Sequence, residues 1–269
     1  MSYPINYPTP QGANVQMFFA NATSAATQKE TWTKPQGASF VFFSLVGAGG
    51  SGGDATSDGT AGAAGGGGGS GSVLNCLVPA FAIPDQLQVA VGGRRQGTNG
   101  ASTEVIYQQK DGTGYTLLSA GGGIVGDTAT VVTPGVSVDA VGGAGGGVAP
   151  SAFRALGFSN GTTGQTGSTG NTSQTLPTDI FVIGGNGGSG AIVTGHYGYP
   201  TALGGQGYDV ISPIINGRTS RSINGASTVS NALAQYAGFG CGGNGAFTSS
   251  ATTTYGLPGG PGLAVIISW

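Results

Sequence analysis

An all-β fold follows from three features of the chain. Short runs of β-branched and aromatic residues recur at strand length. Beyond a possible single turn at 15–20, only residues 228–237 offer even a turn or two of helix. Each strand-like run, moreover, empties directly into glycine, most clearly where Phe-Val-Phe-Phe-Ser-Leu-Val at 40–46 passes into Gly-Ala-Gly-Gly-Ser-Gly-Gly at 47–53. The expected architecture is a short-strand β-sandwich or sheet scaffold whose strands lead into packed, polyglycine-II-like glycine tracts with variable loops on the rim.

Taken in order, residues 1–31 differ from the rest. Tyr3-Pro4, Tyr7-Pro8 and Pro10 fix φ and push their predecessors out of the helical region, which predicts an extended arm. Within it, 15–20 reads as one strand or one turn of helix. Such an arm is expected to dock on a neighbour through Tyr3, Tyr7, Phe18 and Phe19. The division is then an arm over 1–31 and a glycine-rich β domain over 32–269.

The turn Pro35-Gln36-Gly37 opens the strand at 40–46. Strands follow at 73–78, ended by Pro79, and at 87–91, which alternates with period two and runs into Gly92-Gly93. Those at 103–108 and 115–119 flank Lys110-Asp111-Gly112, a hairpin signal. Further strands are expected at 136–141 and 180–183, each leading into glycine. The closing run 263–267 is expected beside 40–46. Glycine tracts recur at irregular spacing, so identical repeats are excluded. The longer polar excursions at 150–179, 194–203, 208–237 and 247–257 read as rim loops.

Composition narrows the function. There are 57 glycines and 13 prolines among 269 residues, without collagen's strict period. Disorder is disfavoured because only 7% of residues are charged and the apolar residues are concentrated in runs. A net charge of −2 removes the electrostatic basis for nucleic-acid or anionic-membrane binding. The doublet Arg94-Arg95 reads as solvated. No apolar run approaches the ~20 residues that span a bilayer, and 1–10 lacks a signal-peptide pattern, so folding in a cytoplasm is expected. Cys76 and Cys241 have no partner at metal-ligand spacing. They read as two small buried hydrophobes, with a late disulfide as the alternative.

Ordering glycine is entropically costly and buries no side chain. Close backbone packing is the compensation available. Segments with three residues per turn and no internal hydrogen bonds can lie side by side and pair their amides between segments. The alternative is a set of flexible loops.

Catalytic motifs are matched only by composition. Residues 47–52 fit G-x-G-x-x-G and 49–53 fit G-x-S-x-G, but neither opens a helix with an apolar face. The sole histidine, His196, lies far away in a polar loop. No enzyme activity, cofactor or metal is expected.

Trp32-x-x-Pro35-x-Gly37-Ala38, the strand at 40–46, Gly47-Ala48-Gly49-Gly50 and the tract 65–71 resemble the glycine-rich domain of bacteriophage tail proteins. The resemblance continues through Leu87-Gln88-Val89-Ala90-Val91-Gly92-Gly93, Gly100-Ala101-Ser102-Thr103 and Leu117-Leu118-Ser119-Ala120-Gly121-Gly122. It closes with Gly259-x-x-Gly262-Leu263-Ala264-Val265-Ile266-Ile267. Arg94-Arg95 and residues 150–237 depart from the pattern. In organisation the chain is also similar to tail-fibre adhesins of T-even-like phages, which bind the host with rim loops on a layered polyglycine core.

This resemblance implies a virion protein, assembled in the host cytoplasm and expected to be a homotrimer. Its partners would be other virion proteins, through the arm, and a host surface glycan or outer-membrane protein. Receptor contact falls on His196, Tyr197 and Tyr199, joined by Tyr208, Phe247 and Tyr255, because aromatic faces with polar tips on loops suit such targets. The alternative is a head fibre, decoration or connector protein with a purely structural role.

Overall fold

A computed structural model describes residues 12–20, 27–94, 96–136, 138–147, 159–162, 239–243, 245–248 and 250–269, with the backbone alone for 159–162 and 247. The strands are β1 (Asn14–Phe19), β2 (Gln28–Thr33), β3 (Phe40–Val46), β4 (Ala55–Thr56), β5 (Ala63–Ala64), β6 (Val73–Pro79), β7 (Gln86–Val91) and β8 (Thr103–Gln108). They continue as β9 (Gly114–Ala120), β10 (Ala129–Thr130), β11 (Val138–Asp139), β12 (Ser159–Thr162), β13 (Phe247–Thr248), β14 (Thr253–Thr254) and β15 (Leu263–Ser268). Two antiparallel sheets, ordered β1-β15-β3-β6-β12 and β2-β7-β8-β9, share one core.

Alternation explains which side chains meet. Val41, Phe43 and Leu45 of β3 and Leu74, Cys76 and Val78 of β6 join Trp32, Leu87, Val89, Val105 and Leu118 of the other sheet. The Trp32 ring meets Phe43 edge-on at 6.1 Å. The opposite face of the first sheet is buried too, with Val46, Val73, Leu263, Val265 and Ile267 in a second cluster. Burial on both faces is why β3 and β15 read as unbroken apolar runs. These two pair antiparallel as expected, Leu263 beside Val46 and Ser268 beside Val41. The hairpin of β8 and β9 turns at Gly112, whose φ is +87°.

Several expectations need correcting. The 1–31 arm is in part sheet: β1 pairs with β15, and β2 pairs with β7. Phe18 is buried in the core, so it packs the sandwich instead of reaching a neighbour. The strand expected at 136–141 shrinks to Val138–Asp139, since the residues that follow take up the glycine packing described next. The expected strand at 180–183 and the helical turn at 228–237 lie outside the described residues. Cys76 and Cys241 are both buried, with no disulfide between them.

Beyond the sandwich the strands continue into a glycine layer. Along 47–53 successive N–H groups turn to different neighbours. Gly47, Gly50 and Gly53 donate to the carbonyls of Ser72, Gly69 and Gly66. Ala48 and Ser51 donate to Ala101 and Thr98, and Gly49 and Gly52 to Gly260 and Leu257. A period of three is that of polyproline-II backbone. The carbonyls of Ala48 and Ser51 accept from Gly123 and Gly126, and those of Gly50 and Gly53 from Gly243 and Ala246. Segment 47–53 is thus wrapped by 65–72, 98–101, 121–127, 257–262 and the tract on either side of residue 244. The next segment repeats the rule: Gly65, Gly68 and Gly71 bond one neighbour, and Gly66, Gly69 and Ser72 another.

Glycine is required here for proximity and not for φ. Gly49 lacks a left-handed φ, but a Cβ on it would collide with the Cys241 carbonyl oxygen and lie 2.9 Å from the Gly242 nitrogen. Side chains appear every third residue, at Ala48, Ser51 and Asp54, on the one side of 47–53 that faces no glycine segment. There Ser51 Oγ donates to Thr98 O at 3.2 Å and Asp54 Oδ1 accepts from Gly256 N at 2.9 Å. Arg94 fills the same gap, its Nη1 donating to Gly259 O at 3.1 Å. The expectation that Arg94 is solvated is therefore corrected: it is 5% exposed, and burial lowers its pKa from the ordinary guanidinium value.

Candidate functional site

The layer gives the molecule two ends. Segments 47–53 and 65–72, 121–127 and 140–147, and the tracts before and after 247–256 are antiparallel pairs. Each pair is joined at the end far from the sandwich, by 54–64, 128–139 and 247–256. Alternation dictates this: a segment leaving the sheet must turn before its partner returns.

Two small sheets knit these connections together, one ordered β10-β4-β14 and the other β11-β5-β13. Their shared core is made of small side chains, Ala55, Ala63, Ala129, Val131, Ala140 and Ala246, which let the backbones approach closely. Thr56 Oγ1 lies 3.0 Å from Thr253 Oγ1, and Ser57 N donates to Thr252 O at 3.2 Å. Thr60 Oγ1 donates to Asp58 Oδ1 at 2.6 Å and accepts from Gly135 N at 2.8 Å, which ties the first connection to the second. The bonds from Thr60 Oγ1 and Thr60 N hold the Asp58 carboxyl below its ordinary pKa.

What the tip presents is mixed. Val132 is 82% exposed and Tyr255 63%, with Val136 also exposed. Hydroxyls of Thr56, Thr60 and Thr253 lie among them. The carboxylates here are Asp54, Asp58, Asp127 and Asp139, and among the described residues no lysine or arginine stands on these connections. Such a surface can stack, exclude water and hydrogen-bond. Among the described residues it holds no cluster suited to a metal ion.

Of the residues expected to contact a target, Phe247 and Tyr255 both fall on the 247–256 connection, hence at this tip. His196, Tyr197, Tyr199 and Tyr208 lie outside the described residues, as do Tyr3 and Tyr7. Phe19 is on β1, exposed, its ring 5.8 Å from that of Phe239. Sequence reasoning left Asp58 and Thr60 in a polar excursion, placed Val136 in a strand and did not single out Val132. The signal was present: 54–64 and 128–139 interrupt glycine tracts at the same alternate position as 247–256.

A family model described as a glycine-rich domain matches residues 23–269. Comparison with curated proteins finds no match.

Proposed function

The chain belongs to the glycine-rich domain family; we propose that it is a bacteriophage virion protein, a tail-fibre or tail-tip adhesin that touches the host surface. The observation that carries this reading is the gathering of three loop connections at one end of a rigid glycine layer, with the start of β1 at the other. Loops on a stiff scaffold are where recognition concentrates. The target is a surface glycan or an outer-membrane protein, met by Val132 and Tyr255 and by loop residues 194–203, including His196, Tyr197 and Tyr199, and Tyr208 beyond them. Residues 1–11, with Tyr3 and Tyr7, attach the protein to its virion neighbours, and the assembly is a homotrimer.

The test is binding of the purified, fluorescently labelled full chain to a panel of whole bacterial strains. Saturable binding to some strains, reduced by Val132→Ser with Tyr255→Ala at unchanged melting temperature, supports the adhesin. Binding to virions and to no strain would make it a head fibre, decoration or connector protein.

A further inference from the structure

We propose that three copies of this chain join along the outermost described tract of the glycine layer, residues 140–147, with these tracts running parallel about one axis. The proposal rests on the homotrimer reading and gives it a seam. Inside the layer the tract 47–53 has no N–H to spare: every one from Gly47 to Gly53 finds a carbonyl. The tract 140–147 has two neighbours among the described residues. Ala140, Gly143 and Gly146 donate to Ala64, Gly67 and Ser70, and the carbonyls of Val141, Ala144 and Gly147 accept from Asp127, Ile124 and Gly121. Among the described residues, the N–H groups of Val141, Gly142, Ala144 and Gly145 have no backbone acceptor, and the carbonyls of Gly142, Gly143, Gly145 and Gly146 have no backbone donor.

Three residues per turn set such groups in rows along the tract. Rows of donors and rows of acceptors on one tract suit a head-to-tail ring, in which each copy gives to one neighbour and takes from the other. The chain already contains a triangle of this kind. Tracts 65–72, 121–127 and 140–147 are each bonded to the other two, and 140–147 runs parallel to 65–72. The seat is also selective. A Cβ on Gly143 or Gly146 would run into the carbonyl oxygens of Ile124 and Gly121, so tracts at this spacing tolerate no side chain between them. Gly142 and Gly145, both half-buried, supply bare positions for a neighbour. Val141, 58% exposed, and Ala144, also exposed, lie one turn apart and hence on one face. The adjoining tract 121–127 is exposed at its third residues too, but carries Ile124 and Asp127 there. Residues 140–147 include no ionisable side chain, so identical copies meet without repulsion. In the ring all three tips face the same way.

The test uses the purified full chain in analytical ultracentrifugation. The parent should sediment at three times its chain mass of 26.0 kDa. Ala144→Glu, which sets three carboxylates about the axis, should sediment at a third of the parent's mass, with unchanged far-UV circular dichroism. The milder Ala144→Cys, treated with a short bismaleimide, should give chains linked through position 144, since Cys76 and Cys241 are buried. A trimer that Ala144→Glu leaves intact, or the lack of interchain links through position 144, overturns the seam and leaves the homotrimer standing. A parent that sediments as one chain or two overturns both. Neither result bears on binding to bacterial strains, which tests the adhesin separately.

Discussion

Gly49→Ala against Gly147→Ala separates a close-packed glycine layer from a merely glycine-rich one. At Gly49 the added methyl meets the Cys241 carbonyl, and a Cβ there would also lie 2.9 Å from the Gly242 nitrogen. Clearing both atoms moves 47–53 off the neighbouring tract by about 1 Å or more. That shift breaks the bond from Gly243 N to Gly50 O, now 2.8 Å, and strains the one from Gly49 N to Gly260 O, now 2.9 Å. Each buried peptide group left unpaired costs about 1–3 kcal/mol, so orphaning the donor and the acceptor of the broken bond costs about 2–6 kcal/mol. This is a large part of the ~5–15 kcal/mol that holds a domain folded. At about 2–4 °C per kcal/mol, the melting temperature of Gly49→Ala falls by on the order of 10 °C. At Gly147 a Cβ meets nothing within 4 Å and φ is not left-handed. Alanine there restricts the unfolded chain alone and stabilises by about 0.4–1 kcal/mol. Scanning calorimetry of the two variants beside the parent reads the contrast. Equal melting temperatures for all three would refute the packed layer.

Other outcomes follow from the same contacts. Arg94→Ala opens the gap beside 47–53 and leaves Gly259 O without its 3.1 Å donor, and denaturant titration should show a loss of about 2–4 kcal/mol, with Arg94→Met losing less. The Cys76 thiol, pushed up to about 11 by burial, should resist a disulfide reagent at pH 8 in the folded protein and react fully once unfolded, read by absorbance. Asp58 titrates below its ordinary 3.8 because of Thr60, so its contribution is complete above that value and is lost as pH falls through the lower folded pKa. Thr60→Val should move the Asp58 carboxyl titration back up toward 3.8, seen by NMR.

How much of this was legible depends on how many faces of an element are buried. β3, β8 and β15 were readable to within a residue, because β3 and β15 are apolar on both sides and β8 alternates. β2 was missed: Gln28–Thr33 turns only Trp32 inward, so no alternation shows and the segment reads as part of an arm. The tip strands were invisible for a different reason. Pairs such as Ala55–Thr56 and Thr253–Thr254 have no propensity of their own and exist because the glycine segments deliver them side by side. The buried state of Arg94 rests on a carbonyl 165 positions away, which no local pattern encodes. Glycine packing itself was readable as physics, from the need to pair bare amides, but not which tract would lie at the centre.

The triple period of the layer sets a reading frame for insertions and deletions. Removing one residue from 47–53 would rotate everything beyond it by about 120°, swinging Ser51 and Asp54 out of the gap that Arg94 fills and into neighbouring backbone. Removing three would restore the phase and merely shorten the segment by about 9 Å. Length changes within the tracts should therefore survive only in multiples of three, while the connections at the far end are free to drift one residue at a time. A lineage under pressure to alter what it touches could rewrite that end indefinitely without disturbing the stem beneath it.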